Sequence, residues 1–214
     1  MAQHVVPSGG TSLDRPSQLE PERYALESQI RECYARCAYT HKTHEKMAER
    51  LHVRHKRGKW ANIVLSALIT GGAVSVIFSK GSAWEGYAGY ATAALSILSL
   101  IFNAYLKDLD PGALAQRHRE TASDMWNVRE AYLSLITDVL DQEANLASLR
   151  DRRDALQAAL HKIYHGAPHT DGKAYGKAQD ALKNNEDLTF TDKEIDVMLP
   201  ASLRRSGHPQ ITKE

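Results

Sequence analysis

The chain has little that a soluble enzyme needs. It contains no Gly-x-x-x-x-Gly-Lys-Ser/Thr phosphate loop, no Gly-x-Ser-x-Gly nucleophile elbow, no His-Glu-x-x-His helix and no Cys-x-x-Cys pair. Carboxylate pairs such as Asp108/Asp110 and Glu194/Asp196 fall in charged turns, where a solvated surface is the default reading. No enzymatic activity is therefore expected, and the sequence calls for no catalytic residue, no metal and no cofactor. It has only two cysteines, Cys33 and Cys37. One helical turn apart on one helix, they are poorly placed to bridge and are expected to pack as small apolar side chains. No stretch alternates with period two over a strand's length, which points to an all-α fold. No repeat of 20 to 50 residues is present.

Two segments lack charge altogether: residues 60–79 and 86–106, separated by a six-residue connector. At about 1.5 Å rise per residue, each can cross the roughly 30 Å hydrocarbon core of a bilayer. So short a connector brings the second helix back beside the first, as a transmembrane hairpin. The mean hydropathy of −0.44 conceals this because the remaining residues are strongly polar. Residues 41–59 carry seven Lys/Arg, from Lys42 to Lys59, and Lys107, Arg117 and Arg119 follow the second span. The connector has only Lys80, offset by Glu85. Positive charge on the terminal side of both spans places both termini in the cytoplasm. The first span begins too deep in the chain for a cleaved signal peptide. The basic run 52–59 abuts the membrane, so anionic headgroups rather than nucleic acid are its expected partner.

The organisation follows. Residues 1–19 are expected as a disordered tail, 20–59 as an amphipathic helix feeding the first span, and 60–106 as the hairpin. Residues 107–200 are expected as a cytoplasmic helical region and 201–214 as a second tail. Asp110-Pro111-Gly112 marks a break, and helices are predicted over about 111–140, 142–165 and 174–184. Leu146, Leu149, Leu156, Leu160 and Ile163 take coiled-coil spacing in the second of these. Thr191-Asp192-Lys193-Glu194 fits a capping box that starts a last short helix.

Polar and small residues mark the candidate sites. Ala67, Gly71, Ser75 and Ser79 recur every four residues in the first span. Such a stripe lets helix backbones approach closely in lipid, either within the hairpin or between subunits. Thr92, Ser96, Ser99 and Asn103 run along one side of the second span. They either bond back to their own helix or line an aqueous path, with Asn103 near its cytoplasmic mouth. With no ionisable residue in either span, a selective transporter or proton pump is not expected. His41, His44, His118 and Arg129, with Arg153, occupy stripe positions where apolar residues are expected. They form either a buried interhelical network, with Arg129 on a carboxylate such as Glu130 or Glu27, or a cytoplasmic anion site. Cys33, Cys37, His41 and His44 spread over about 16 Å of one helix and cannot all reach one zinc ion; two at one turn's spacing could join ligands from elsewhere, but no metal site is expected.

Three local signatures flank the hairpin. One is Ala115-Gln116-Arg117-His118-Arg119 with Thr121-Ala122, Trp126, Arg129-Glu130 and Tyr132. The second is Tyr164 with Ala167-Pro168-His169-Thr170, Ala174-Tyr175 and Ala178. The third is Asp187-Leu188-Thr189-Phe190 leading to Glu194-Ile195-Asp196 and Leu199-Pro200. In their order around a two-helix hairpin, over most of residues 24–200, the chain resembles the SLATT family. These are the SMODS- and SLOG-associating two-transmembrane effectors, associated in bacteria with nucleotide-synthesising and nucleotide-sensing proteins. The resemblance implies a pore-forming or membrane-disrupting effector of anti-phage defence in the inner membrane. Its implied trigger is a nucleotide second messenger or a nucleotide-handling partner protein. Physics adds that two spans cannot enclose water, so a pore requires a homo-oligomer. The alternative is a membrane-anchored helical scaffold that recruits a cytoplasmic partner.

Overall fold

The computed structural model describes residues 15–78, 81, 85–141, 143–185 and 188–198. All elements among them are helices: α1 Arg15–Phe78, α2 Glu85–Leu109, α3 Pro111–Leu140, α4 Leu146–Gly166, α5 Gly172–Asn184 and α6 Asp192–Met198. The expected tail residues 1–14 and 201–214, and Ser79, lie outside the described residues.

α1 is one unbroken helix of 64 residues, about 96 Å long, so the amphipathic segment and the first span form a single rod. It begins at Arg15, five residues earlier than the sequence suggests. Gly81, in the connector, has φ +83°, a left-handed conformation that glycine adopts without a Cβ clash. A single residue, Asp110, joins α2 to α3. Its N–H bonds to the Leu106 carbonyl and its carboxylate accepts from the Ala113 N–H, so it closes one helix and caps the next. That double role holds Asp110 at φ 28°, a conformation aspartate tolerates better than most residues, and Pro111 supplies the first turn of α3.

α3 then runs back along α1. Contacts pair Gly112 with His55, His118 with His44, Arg129 with His41 and Val139 with Arg23, an antiparallel register. Leu26, Ile30, Cys33 and Cys37 of α1 bury against Val128, Tyr132, Leu135 and Val139 of α3. Full burial of such side chains contributes roughly 1.5–3 kcal/mol each. The Arg23 guanidinium donates to the carbonyls of Val139, Asp141 and Ala144, a cation at the end of α3 that fixes the turn into α4. Asn145 caps α4. α4 lies alongside α1 through Arg150–Glu22, Arg153–Gln29 and Tyr164–Thr40. Its Leu149 is buried, and Leu156, Leu160 and Ile163 are partly covered. α5 crosses α1 on three buried alanines, Ala174, Ala178 and Ala181, which permit a close approach near Met47 and Leu51.

The apolar segments of α1 and α2 behave differently. Both are long and apolar enough to cross a membrane, and neither is buried by the rest of the chain. Ile63, Leu68, Ile77, Ile97, Leu100 and Ile101 are all more than half exposed. A soluble core helix would cover such side chains, so this surface is built for lipid.

Candidate functional site

The face that α1 turns towards α2 is set by its half-buried positions: Asn62, Leu65, Ile69, Gly72 and Val76, spaced by three and four. Gly72 is the point of closest approach, because a Cβ there would lie 2.3 Å from Thr92 Oγ1. Gly71 points elsewhere, with nothing within 4 Å of its would-be Cβ. Ala67 and Ser75 are exposed with it. The small-residue stripe thus does not pack the hairpin, and the glycine that does is its sequence neighbour.

The polar stripe of α2 is split. Thr92 lies half-buried on Gly72, with its hydroxyl donating to the Ala88 carbonyl at 2.8 Å. Ser96 is exposed and donates to the Thr92 carbonyl at 2.9 Å. Ser99 and Asn103 join a cluster that the sequence reading missed. Asn62 Nδ2 donates to Asn103 Oδ1 across the hairpin, and Asn103 Nδ2 reaches Ser99 Oγ at 3.4 Å. An amide within an otherwise apolar span was the available signal for Asn62. Below this cross-link, a cleft of about 350 Å³ opens between His55, Lys59, Lys107 and Asp110.

The second candidate group lies where α1 and α3 meet. His44 Nδ1 and His118 Nδ1 are 2.9 Å apart, and the ring centroids are 5.0 Å apart. One nitrogen must donate and the other accept, so the neutral pair carries opposite tautomers at these atoms. Burial pushes both imidazoles below the usual value, His44 to about 4. For His44 the neighbouring His118 adds to the effect, and for His118 the Arg50 cation does. Arg129 approaches His41 Nδ1 at 3.5 Å while its Nε donates to Glu130 at 3.0 Å. His41 Nε2 lies 3.6 Å from Glu45, but desolvation outweighs that carboxylate and its pKa is also lowered. The four residues therefore come together where α1 meets α3 as two interhelical pairs, His44–His118 and His41–Arg129, with the buried His118 Nε2 left without a hydrogen-bond partner among the described residues. Arg153 stands apart, on Gln29 and Asp154. Glu27, the other carboxylate considered for Arg129, pairs instead with Arg31.

Cys33 and Cys37 are free and buried, and burial raises the Cys37 thiol to about 11, which keeps it protonated. Among the described residues no group of three or more His, Cys, Asp or Glu side chains could hold a metal ion.

Comparison with known families matches residues 26–194 to the model for "SMODS and SLOG-associating 2TM effector domain family 4". No curated protein and no solved structure matches the chain.

Proposed function

The chain belongs to the SMODS and SLOG-associating 2TM effector domain family, a membrane effector family tied to nucleotide-signalling partners, and from that premise we propose that it oligomerises through its hairpin and permeabilises the bacterial inner membrane. The observation that carries this reading is the unburied hairpin: two uncharged spans whose outward apolar surface is left exposed by the described residues, with Ala67, Gly71 and Ser75 on the outside. Small residues on an outward face admit a second hairpin at close backbone distance. Two spans enclose no water, so conduction demands several copies. In this reading both termini face the cytoplasm, which the excess of basic residues before α1's span and after α2 supports. The trigger, a nucleotide signal or a partner protein, acts on the polar bundle. Because α1 runs unbroken from His41 through Trp60 into the bilayer, a change in its packing on α3 is carried mechanically into the hairpin. Asn62–Asn103 then opens or holds the cytoplasmic end.

The test is membrane potential in bacteria expressing the wild type or Gly71→Leu at equal membrane levels, followed with a voltage-sensitive dye. High expression favours assembly by mass action. Depolarisation by the wild type that the substitution abolishes supports the reading, depolarisation equal in both refutes Gly71 as the packing face, and a polarised membrane in both raises the scaffold alternative. The scaffold alternative is favoured by one feature, the exposed Phe190, Ile195 and Val197 in and beside α6. It predicts that an unrelated hairpin can replace residues 60–106 without loss of function.

A further inference from the structure

Beside the buried histidine pair, on the open side of α1, lies a crevice of about 300 Å³. That is the small end of the roughly 300–1,000 Å³ range of ligand pockets. Its walls come from α1 and, more than 100 residues later in sequence, from the end of α4, the segment after it and α5. Tyr39 of α1 and Tyr175 of α5 stack with centroids 5.9 Å apart and planes 26° apart. Tyr164 of α4 shares a 2.9 Å hydrogen bond with Thr40. The non-helical segment 167–170, including His169, forms the rim, and His44 lies at the floor. Tyrosine rings accept any planar π-system; the Thr43 hydroxyl, which donates to the Tyr39 carbonyl at 2.7 Å, offers an acceptor, and the His169 imidazole offers both a donor and an acceptor. No lysine or arginine lines it. The crevice thus suits an uncharged heteroaromatic ring.

Cations begin immediately beyond. Tyr39, Thr43, Lys46, Arg50 and Arg54 follow spacings of four, three, four and four, which keeps them on one side of α1. Lys46, Arg50, Arg54 and Lys177 line a separate cleft of about 480 Å³, and Lys173 lies with Arg50 and Arg54 in another. Glu49 and Asp171 engage Lys46 and Arg50, whereas Lys173 and Lys177 have no carboxylate partner among the described residues. From Thr43 to Arg50 is about 10 Å along the helix axis, a separation that suits a ring at one end and phosphate at the other.

We propose that this crevice and the cationic clefts near it form a nucleotide site, with the base stacked on the exposed face of Tyr175, whose other face Tyr39 covers, and the phosphate held at Lys173, Lys177 and the cations of α1. The proposal rests on the effector reading and gives it an address: the chain senses the signal itself. A ligand here ties α1 to α5 and to the 167–171 segment, one side chain away from the His44–His118 contact that joins α1 to α3. Occupancy is thereby converted into α1–α3 packing.

The experiment uses the full chain in phosphatidylcholine nanodiscs, without anionic lipid, and equilibrium dialysis with labelled AMP, GMP, CMP and UMP and with the matching nucleosides. At least one monophosphate is expected to bind, one molecule per chain. Tyr175→Ala should weaken it about tenfold or more, the scale of a lost base–aromatic stack, while Tyr175→Phe retains it. Tyr175 is half exposed and α5 is anchored by its alanines, so the fold of these variants is checked by circular dichroism and expected intact. Replacing both Lys173 and Lys177 by alanine should bring the monophosphate down to the nucleoside's affinity. No binding up to millimolar concentration overturns the proposal, as does binding that ignores Tyr175→Ala. Displacement by inorganic phosphate as effective as by the nucleotide also overturns it, since it would mark a phosphate or headgroup site only. Depolarisation by a chain that binds no nucleotide would sink this site and leave the pore, and binding without depolarisation would do the reverse.

Discussion

Gly71 and Gly72 are adjacent, equally small and both within the first span, yet they should respond oppositely to a single methyl group. At Gly72 the added Cβ would sit 2.3 Å from Thr92 Oγ1, 3.4 Å from its Cβ and 3.5 Å from its Cγ2. Either Thr92 rotates and gives up its 2.8 Å bond to the Ala88 carbonyl, or the helices separate. Overpacking of this kind costs about 1–3 kcal/mol. At Gly71 there is nothing within 4 Å, so Gly71→Ala should be neutral within the hairpin or slightly stabilising, as alanine is the better helix former. The assay is reversible unfolding in mixed micelles on titration with sodium dodecyl sulfate, read by tryptophan fluorescence. Thr92→Ala placed on top of Gly72→Ala should recover most of the loss, a coupling of about 1–2 kcal/mol between touching residues. Equal stability of Gly71→Ala and Gly72→Ala would refute the assigned helix faces. So would a Gly72→Ala defect that Thr92→Ala leaves untouched.

Three further outcomes are expected. His44 titrates near 4 when folded against 6.5 as its ordinary value, so the unfolded chain takes up the proton first; stability is full above pH 6.5 and falls towards pH 4 by on the order of 3 kcal/mol. His41 and His118 shift the same way and steepen the fall, and thermal melts at pH 7.5 and 5 that coincide would refute the buried pair. Asp171 accepts from the Ala174 N–H at 2.9 Å and pairs with Arg50. Asp171→Ala should therefore fray the first turn of α5 through the lost cap, and Asp171→Asn, which keeps the acceptor, markedly less; hydrogen exchange of α5 measures both. Leu149 is the buried side chain of α4, so Leu149→Ala should destabilise the bundle by about 2–5 kcal/mol in chemical denaturation, and a loss under 1 kcal/mol would show that α4 is not docked there.

Much of this was legible because local rules and solvent dictate it. The capping box at Thr191 forms as read, with the Thr191 N–H donating to Glu194 Oε2 at 2.8 Å and the Glu194 N–H donating to Thr191 Oγ1 at 3.3 Å. The break at Asp110-Pro111 needs only one aspartate and one proline, and the 111–140 helix has the bounds its stripe suggests. Rotation about each helix axis was not legible in the same way. The stripe Ala67, Gly71 and Ser75 has the right period for close packing, but period does not reveal which side faces the partner. The α4 start at Leu146, four residues later than expected, reflects Arg23 holding the preceding carbonyls from 120 residues away in sequence, an interaction no local pattern encodes.

The sequence by itself determined that two uncharged helices must find lipid, that they return as a hairpin, and that the other elements are helical and polar. Those properties follow from chain length, hydropathy and backbone hydrogen bonding, which act residue by residue. The tertiary structure alone decided which glycine touches Thr92, that His44 meets His118 across 74 residues, that Asn62 finds Asn103, and that Tyr39, Tyr164 and Tyr175 surround one crevice. Each depends on the register and rotation of packed helices. Many weak long-range contacts set these together, and no window of sequence contains them.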